Sequence, residues 1–149
     1  MLKCSFENGN IASLRHVVID TIVLNSTKSQ VLLALRSSLI SEGGKWALIG
    51  GYVERDETLV QAVQREVLEE TGYTTTEPKL YKIIDNPHRP KEDRQNISFI
   101  YVCEALEKTG AADWESTQQK WFDLSSIPLD EEFAFDHGTS LRSWIADQI

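Results

Sequence analysis

No apolar stretch in the 149 residues approaches the ~20 needed to cross a bilayer. The opening Met1-Leu2-Lys3-Cys4-Ser5-Phe6-Glu7-Asn8 leads into no hydrophobic run, so no cleaved leader is expected either. Cysteine is scarce: Cys4 and Cys103 stand far apart. That excludes a disulfide framework or a paired-cysteine metal site and fits reduced thiols in a cytoplasmic protein. Four prolines and eight glycines are scattered, with no linker, repeat or low-complexity tract among them. A single domain over residues 1–149 is therefore expected. Cations are also few: 15 Lys and Arg against 23 Asp and Glu leave a net charge of −8. That balance argues against broad nucleic-acid binding, which needs a basic footprint.

What is present suffices for one core, since 41% of the residues are hydrophobic. Residues 15–24 are mostly Val, Ile and Leu around His16, Asp20 and Thr21, and read as a strand. The polar turn Asn25-Ser26-Thr27-Lys28 and a second apolar stretch, Gln30–Arg36, complete an expected hairpin. Residues 37–45 form a polar loop, and Trp46-Ala47-Leu48-Ile49 reads as a short strand that ends at Gly50-Gly51. Residues 58–71 have a helical period, with Leu59, Val60, Ala62, Val63 and Val67 as the apolar stripe. Asp56 is the expected N-cap and Gly72 lies just past the end. Strands are expected at 79–85, 96–104 and 119–124, and a terminal helix at 140–148. Strands on both sides of a central helix predict a mixed α/β fold.

The stretch from Gly51 to Tyr73 is the most informative. Gly51, Glu57, Arg65-Glu66, Glu69-Glu70 and Gly72 stand at fixed spacing. Glu66, Glu69 and Glu70 are i, i+3 and i+4, so they project from one helix face, where like charges cost a few tenths of a kcal/mol per pair. Negative charge near a helix C-terminus also opposes the macrodipole. A hard divalent cation, which takes carboxylate oxygens, would offset both costs.

This spacing resembles the signature box of the Nudix hydrolases and matches it at every defining position. Seven fixed positions at ~7% each agree by chance with a probability on the order of 10⁻⁸ per register. The resemblance implies an α/β/α sandwich with a mixed β-sheet. It implies an enzyme that cleaves the pyrophosphate bond of a nucleoside diphosphate linked to another moiety, with Mg²⁺, or Mn²⁺ in its place, as cofactor. The implied metal ligands are Glu66, Glu69, Glu70 and the carbonyl of Gly51. Such ions would also reconcile an acidic chain with an anionic substrate by reversing the local sign. Arg65 is implied to pair with Glu57 and a helix carboxylate, orienting the box without gripping phosphate, and its i,i+4 spacing to Glu69 makes that contact local. Glu57 would add a water-mediated metal contact. Glu69, then Glu104, are the expected acceptors of the proton from the attacking water, so Glu57, Arg65 and Glu69 form the expected catalytic set. Two positions depart from the common pattern, Ile49 for Pro and Asp56 for Gly, and are expected to alter loop stiffness only.

The flanks speak to substrate. Arg36 closes a strand where relatives place an Arg on substrate phosphates, and a solvated strand-end charge is the alternative. Tyr52, beside the box, and Arg94, directly ahead of a strand, join it as expected substrate-binding residues. Trp46 either stacks on a base or belongs to the core. The loop from His88-Arg89-Pro90 to Asp93-Arg94, and Ala134-Phe135-Asp136-His137, resemble segments of bacterial ADP-ribose pyrophosphatase-like members. ADP-ribose or a related nucleotide sugar is the expected substrate on that basis. Glu104, Asp113 and Glu115 compete as an extra acid from a loop, and His137 is either a base or a packing residue. One rival function is a house-cleaning, MutT-like nucleoside triphosphate pyrophosphohydrolase with the same box. Another is a non-catalytic nucleotide sensor, against which stand the intact carboxylates and the lack of an added DNA-binding domain before Ile149. The sequence does not read out an oligomeric state, although the resemblance, through relatives that are often dimers, allows a homodimer. A small-molecule nucleotide diphosphate is the expected partner, and neither nucleic acid nor a membrane is.

Overall fold

The computed structural model describes residues 2–91 and 94–149. Glu92 and Asp93, in the loop read as substrate-facing, lie outside the described residues. The sheet is organised around the β-branched strand β3, Val17–Leu24, which is buried from Val18 onward. Along its whole length β3 pairs in parallel with a later strand, from Val17↔Ile97 to Leu24↔Glu104. In chain order the other strands are β1 Leu2–Ser5, β2 Ile11–Leu14, β4 Gln30–Arg36, β5 Trp46–Ala47, β6 Ile49–Tyr52, β7 Tyr73–Thr75, β8 Lys79–Ile84, β9 Ile97–Lys108 and β10 Ser116–Asp123. The helices are α1 Leu59–Thr71 and α2 His137–Ala146. β3 to β10 form one mixed eight-stranded sheet.

The expected hairpin of β3 and β4 is short, pairing only Val23↔Leu32 and Leu24↔Val31. Beyond it β4 turns away to pair with β5 and β10, and β6 takes its place beside β3, from Val18↔Tyr52 to Thr21↔Ile49. Glycine makes that insertion feasible, because a Cβ at Gly50 would lie 2.0 Å from the carbonyl oxygen of Ile19. The strand therefore runs through Gly50-Gly51 and does not end there. Alternation along the strands then separates two cores. Ile19, Val23, Leu32, Ala34, Tyr101 and Cys103 pack on Ala62, Val63 and Val67 of α1. Ile22, Val31, Leu33 and Ile100 pack on Leu141 and Trp144 of α2. One helix on each sheet face gives the mixed α/β sandwich.

Helix α1 is capped by Thr58 and not by Asp56. The Thr58 hydroxyl accepts from Gln61 N at 3.3 Å and the Gln61 side chain accepts from Thr58 N at 2.8 Å, a reciprocal capping box. Asp56 instead stands at φ 70, a left-handed conformation that Asp tolerates better than most residues. At the other end Gly72, at φ 77, donates its N–H to Leu68 O. Its carbonyl accepts from the N–H groups of Thr109 and Gly110, while Asp113 N donates to Glu69 O at 2.9 Å. A loop after β9 is thus tied to the end of the acidic helix. Strands β1 and β2, unexpected from the sequence, form a separate ribbon whose Leu2, Ile11 and Leu14 are exposed. β9 runs past its expected end because it also pairs with β7, and α2 begins three residues earlier than expected. Among the described residues no helix is long and apolar enough to cross a membrane.

Candidate active site

A cavity of about 450 Å³ opens where β6, the exposed face of α1 and the loop after β9 meet. Gly51, Tyr52, Arg36, Arg65, Glu66, Glu69 and Arg94 all line it, so most of the expected site residues are brought together. Glu70 lies just beneath, only 8% exposed, and Glu57 stands behind Arg65.

Arg65 is the organising cation. Its Nε and Nη2 donate to the two oxygens of Glu57 at 3.0 and 2.7 Å. Nη1 donates to Glu66 at 2.8 Å and to Glu69 at 3.2 Å, and Nη2 also reaches Tyr52 O at 3.1 Å. These hydrogen bonds, Glu57 foremost, hold the guanidinium well above its ordinary pKa. They hold the Glu57 carboxyl below its own, helped by the Glu54 N–H at 2.7 Å.

The two helix carboxyls nearest β6 behave differently. Burial raises the Glu66 pKa, with Arg65 opposing it. Burial pushes Glu70 further, to about 8, although Gly50 N donates to its Oε1 at 3.0 Å and Ser116 Oγ to its Oε2 at 3.2 Å. A neighbouring cation would stabilise both anionic forms. The donor set is all oxygen, which suits a hard divalent ion, whereas Cys103 is buried in the core among apolar residues. Gly51 matches it: a Cβ there would lie 2.3 Å from Glu66 Oε1, so only glycine leaves backbone and carboxylate side by side. Among the described residues no three His, Cys, Asp or Glu side chains already converge on one point, since Glu66 and Glu69 are both turned towards Arg65.

The opposite wall is cationic. Arg36 donates Nε to Ser41 O at 2.8 Å and lies over the Phe135 ring at 5.2 Å. The rest of its fork lines the cavity with no hydrogen-bond acceptor among the described residues. Burial lowers its pKa, against the raising influence of Glu70, Glu115 and Asp20. Arg94 donates to the Tyr52 hydroxyl and sits over that ring at 5.9 Å.

The competing acids separate by position. Asp113 and Glu115 line the cavity, carried there by the loop tied to α1. Glu104 does not line it: it stands on β9 opposite Leu24, paired with Lys28 at 3.0 Å, so the expectation that it serves as second proton acceptor is corrected. Trp46 packs edge-on against Phe122 at 4.9 Å in the core and is no base platform. His137 is buried, and its Nδ1 accepts from Leu48 N at 3.1 Å. Burial lowers its pKa, and that tether fits the packing role. The sequence reading missed Asp20, which also lines the cavity; a lone carboxylate in an otherwise apolar strand was the available signal. It missed Asn96 and Phe135 as lining residues too, and Phe135 adopts φ 50, an uncommon backbone for an aromatic.

The sequence model of the family described as NUDIX domain matches residues 14–144. The ADP-ribose pyrophosphatase of Methanocaldococcus jannaschii is 30% identical over 129 residues, 87% of this chain and 72% of that protein. The oxidized purine nucleoside triphosphate hydrolase of Danio rerio is 32% identical over 117 residues, 78% of this chain and 72% of that protein. Among solved structures, the NUDIX domain of Shewanella oneidensis NrtR complexed with ADP ribose superposes with a TM-score of 0.77 at 20% identity, covering 93% of this chain and 91% of that one. A bifunctional NMN adenylyltransferase/ADP ribose pyrophosphatase from Francisella tularensis, complexed with AMP and a Mn ion, gives 0.73 at 25% identity. It is matched over 91% of this chain and only 43% of its own length.

Proposed function

The chain belongs to the NUDIX domain family and is a pyrophosphohydrolase, and we propose that it cleaves ADP-ribose or a related nucleotide sugar with a divalent cation, Mg²⁺ or Mn²⁺, in the cavity described above. The observation that carries the reading is the pairing, in one cavity, of the Glu66–Glu69 face beside Gly51 with the open fork of Arg36. A diphosphate needs both: oxygen donors to hold its counter-ions and a guanidinium for its free oxygens. Gly51, Glu66, Glu69 and Glu70 would hold the metal, which supplies charge neutralisation to the diphosphate when bound.

The chain's own residues do the rest. Arg36 and Arg94 orient the phosphates, and Tyr52 holds Arg94 in place. Arg65 fixes the directions of Glu66 and Glu69. Water adds to one phosphorus, the bond from that phosphorus to the bridging oxygen breaks, and the departing phosphate keeps the electron pair. Glu69 takes the proton from the water, its side chain being 51% exposed against 14% for Glu66. Chemistry of this type rests on positioning and charge stabilisation, so no covalent nucleophile is required. From ADP-ribose the products are AMP and ribose 5-phosphate. The likeness to the Danio rerio protein favours a second reading, a nucleoside triphosphate substrate in the same cavity. Steady-state kinetics on ADP-ribose and on canonical and oxidised triphosphates, with Mg²⁺ and with Mn²⁺, decide between them. A kcat/KM for any triphosphate tenfold above that for ADP-ribose removes the nucleotide-sugar assignment.

A further inference from the structure

Asp20 is an acid at a place the proposed chemistry does not use. It sits in the middle of β3, 7% exposed, across from Gly50 in the neighbouring strand, and faces the cavity away from the α1 carboxylates. Both of its oxygens are held. Ser98 Oγ donates to Oδ2 from the adjacent strand β9, and His137 Nε2 lies 3.4 Å from Oδ1. The direction of the histidine contact is set by its other nitrogen: Nδ1 accepts from Leu48 N, so in the neutral ring Nε2 carries the proton and donates. Burial keeps that ring neutral.

Two consequences follow from the chemistry of a carboxylate. It accepts and does not donate, and each oxygen has a second lone-pair direction beyond the one already used. A ligand atom that hydrogen-bonds to Asp20 from the cavity side must therefore be an N–H or O–H, whereas phosphate oxygens suit the neighbouring Arg36. The same cavity is lined by the apolar side chains of Val18, Ile40 and Leu48 and by the Phe135 ring, which lies beneath Arg36, a guanidinium that feels the charge of Asp20. An aromatic ring and a planar guanidinium in one cavity with an oriented acceptor suit a planar heterocycle, which can stack while it donates. We propose that Asp20, positioned by Ser98 and His137, is the specificity-determining acceptor for the amino group of a purine base on the substrate. This rests on the reading of the cavity as a nucleotide site.

The experiment is titration calorimetry of the full chain, in Mg²⁺, with AMP and with IMP, which differ by an amino group against a carbonyl. A hydrogen bond to a charged acceptor makes AMP ~10- to 10²-fold tighter than IMP in the wild-type protein. D20N keeps the shape and can still bond to Ser98 and His137, but offers an amide N–H alongside its carbonyl, so the ratio should collapse to within about threefold. S98A, a small change in a buried strand, should lower the ratio part of the way, because Asp20 then has one guide fewer. A D20N protein that binds IMP no more weakly than the wild type has kept its structure, so the AMP-to-IMP ratio measured on it reads the hydrogen bond alone. Equal binding of AMP and IMP to the wild type, or a D20N protein that keeps the wild-type ratio, overturns the assignment. So does a preference that tracks the ribose hydroxyl when 2′-deoxy-AMP is compared. Failure to release AMP from ADP-ribose would sink the substrate reading instead, and leaves the AMP-to-IMP comparison legible.

Discussion

Replacing Arg65 by Ala tests the orienting role most directly, because that side chain makes five hydrogen bonds to four residues. The side chains of Glu57 and Glu66 are 13% and 14% exposed, and Arg65 itself 23%, so water replaces the lost guanidinium only in part. Removing one member of a buried pair costs ~3–5 kcal/mol. Glu57 keeps the Glu54 N–H and the cluster opens onto the cavity, which places the loss at the lower end, ~3 kcal/mol. For a chain of this size that is a fall in Tm of ~6–12 °C. Glu66 and Glu69 would also swing free of their common donor, and losses of ~10- to 10²-fold in kcat are expected when such an orienting partner is deleted. Lysine restores the charge without the fork, so R65K should recover only part of either loss. The pH dependence has a definite sign. Arg65 depresses the folded pKa of Glu57 from its ordinary 4.5. Its stabilisation is fully present above about that pH and is lost as pH falls through the lowered folded value. The gap in Tm between wild type and R65A should thus be widest near neutrality and close on acidification. Calorimetric melts across that range, paired with steady-state kinetics, are the assay. A variant with unchanged Tm and kcat and a raised KM would refute the reasoning and make Arg65 a substrate ligand.

Three further outcomes are expected. E66Q and E70Q should each lower kcat by ~10²-fold or more at saturating Mg²⁺, and near-wild-type turnover in both would remove them as metal ligands. E115Q should slow turnover while E104Q does not, since only the first lines the cavity; equal rates for the two would show that the loop acid plays no part in the chemistry. Burial pushes the Cys103 thiol up to about 12 and leaves it 3% exposed, so iodoacetamide should label the native protein at Cys4 alone, and mass mapping that finds Cys103 alkylated without unfolding would contradict this.

Local signals were the legible ones. Helix α1 could be read because its apolar stripe, its acidic face and Gly72 all lie within one stretch of chain. β3 and β4 declared themselves by continuous apolar runs bounded by a polar turn. What escaped depends on partners distant in sequence. Nothing local says that β6 continues past Gly50, because the reason is the approach of Ile19 from another strand. The N-cap moved from Asp56 to Thr58 because the reciprocal partner, Gln61, lies one helical turn further on. Glu104 and Glu115 were indistinguishable as letters, and only the register of β9 and the tether of its following loop separate them. Asp20 was hidden by its own strand, since alternation assigns a face but not what that face looks onto.

The tether between Gly72 and the loop after β9 bears on how the site can change. A Cβ at Gly72 would lie 2.1 Å from Gly110 O, and the two segments exchange backbone hydrogen bonds rather than side-chain ones. Sequence drift in the side chains of 111–115 therefore leaves the anchorage untouched. Asp113 and Glu115 form a replaceable cassette mounted on the same post as the glutamate box, and Trp114, 64% exposed between them, is part of that cassette. Exchanging these side chains would change the charge presented to the cavity while the backbone hydrogen bonds that hold the loop to the acidic helix stay in place.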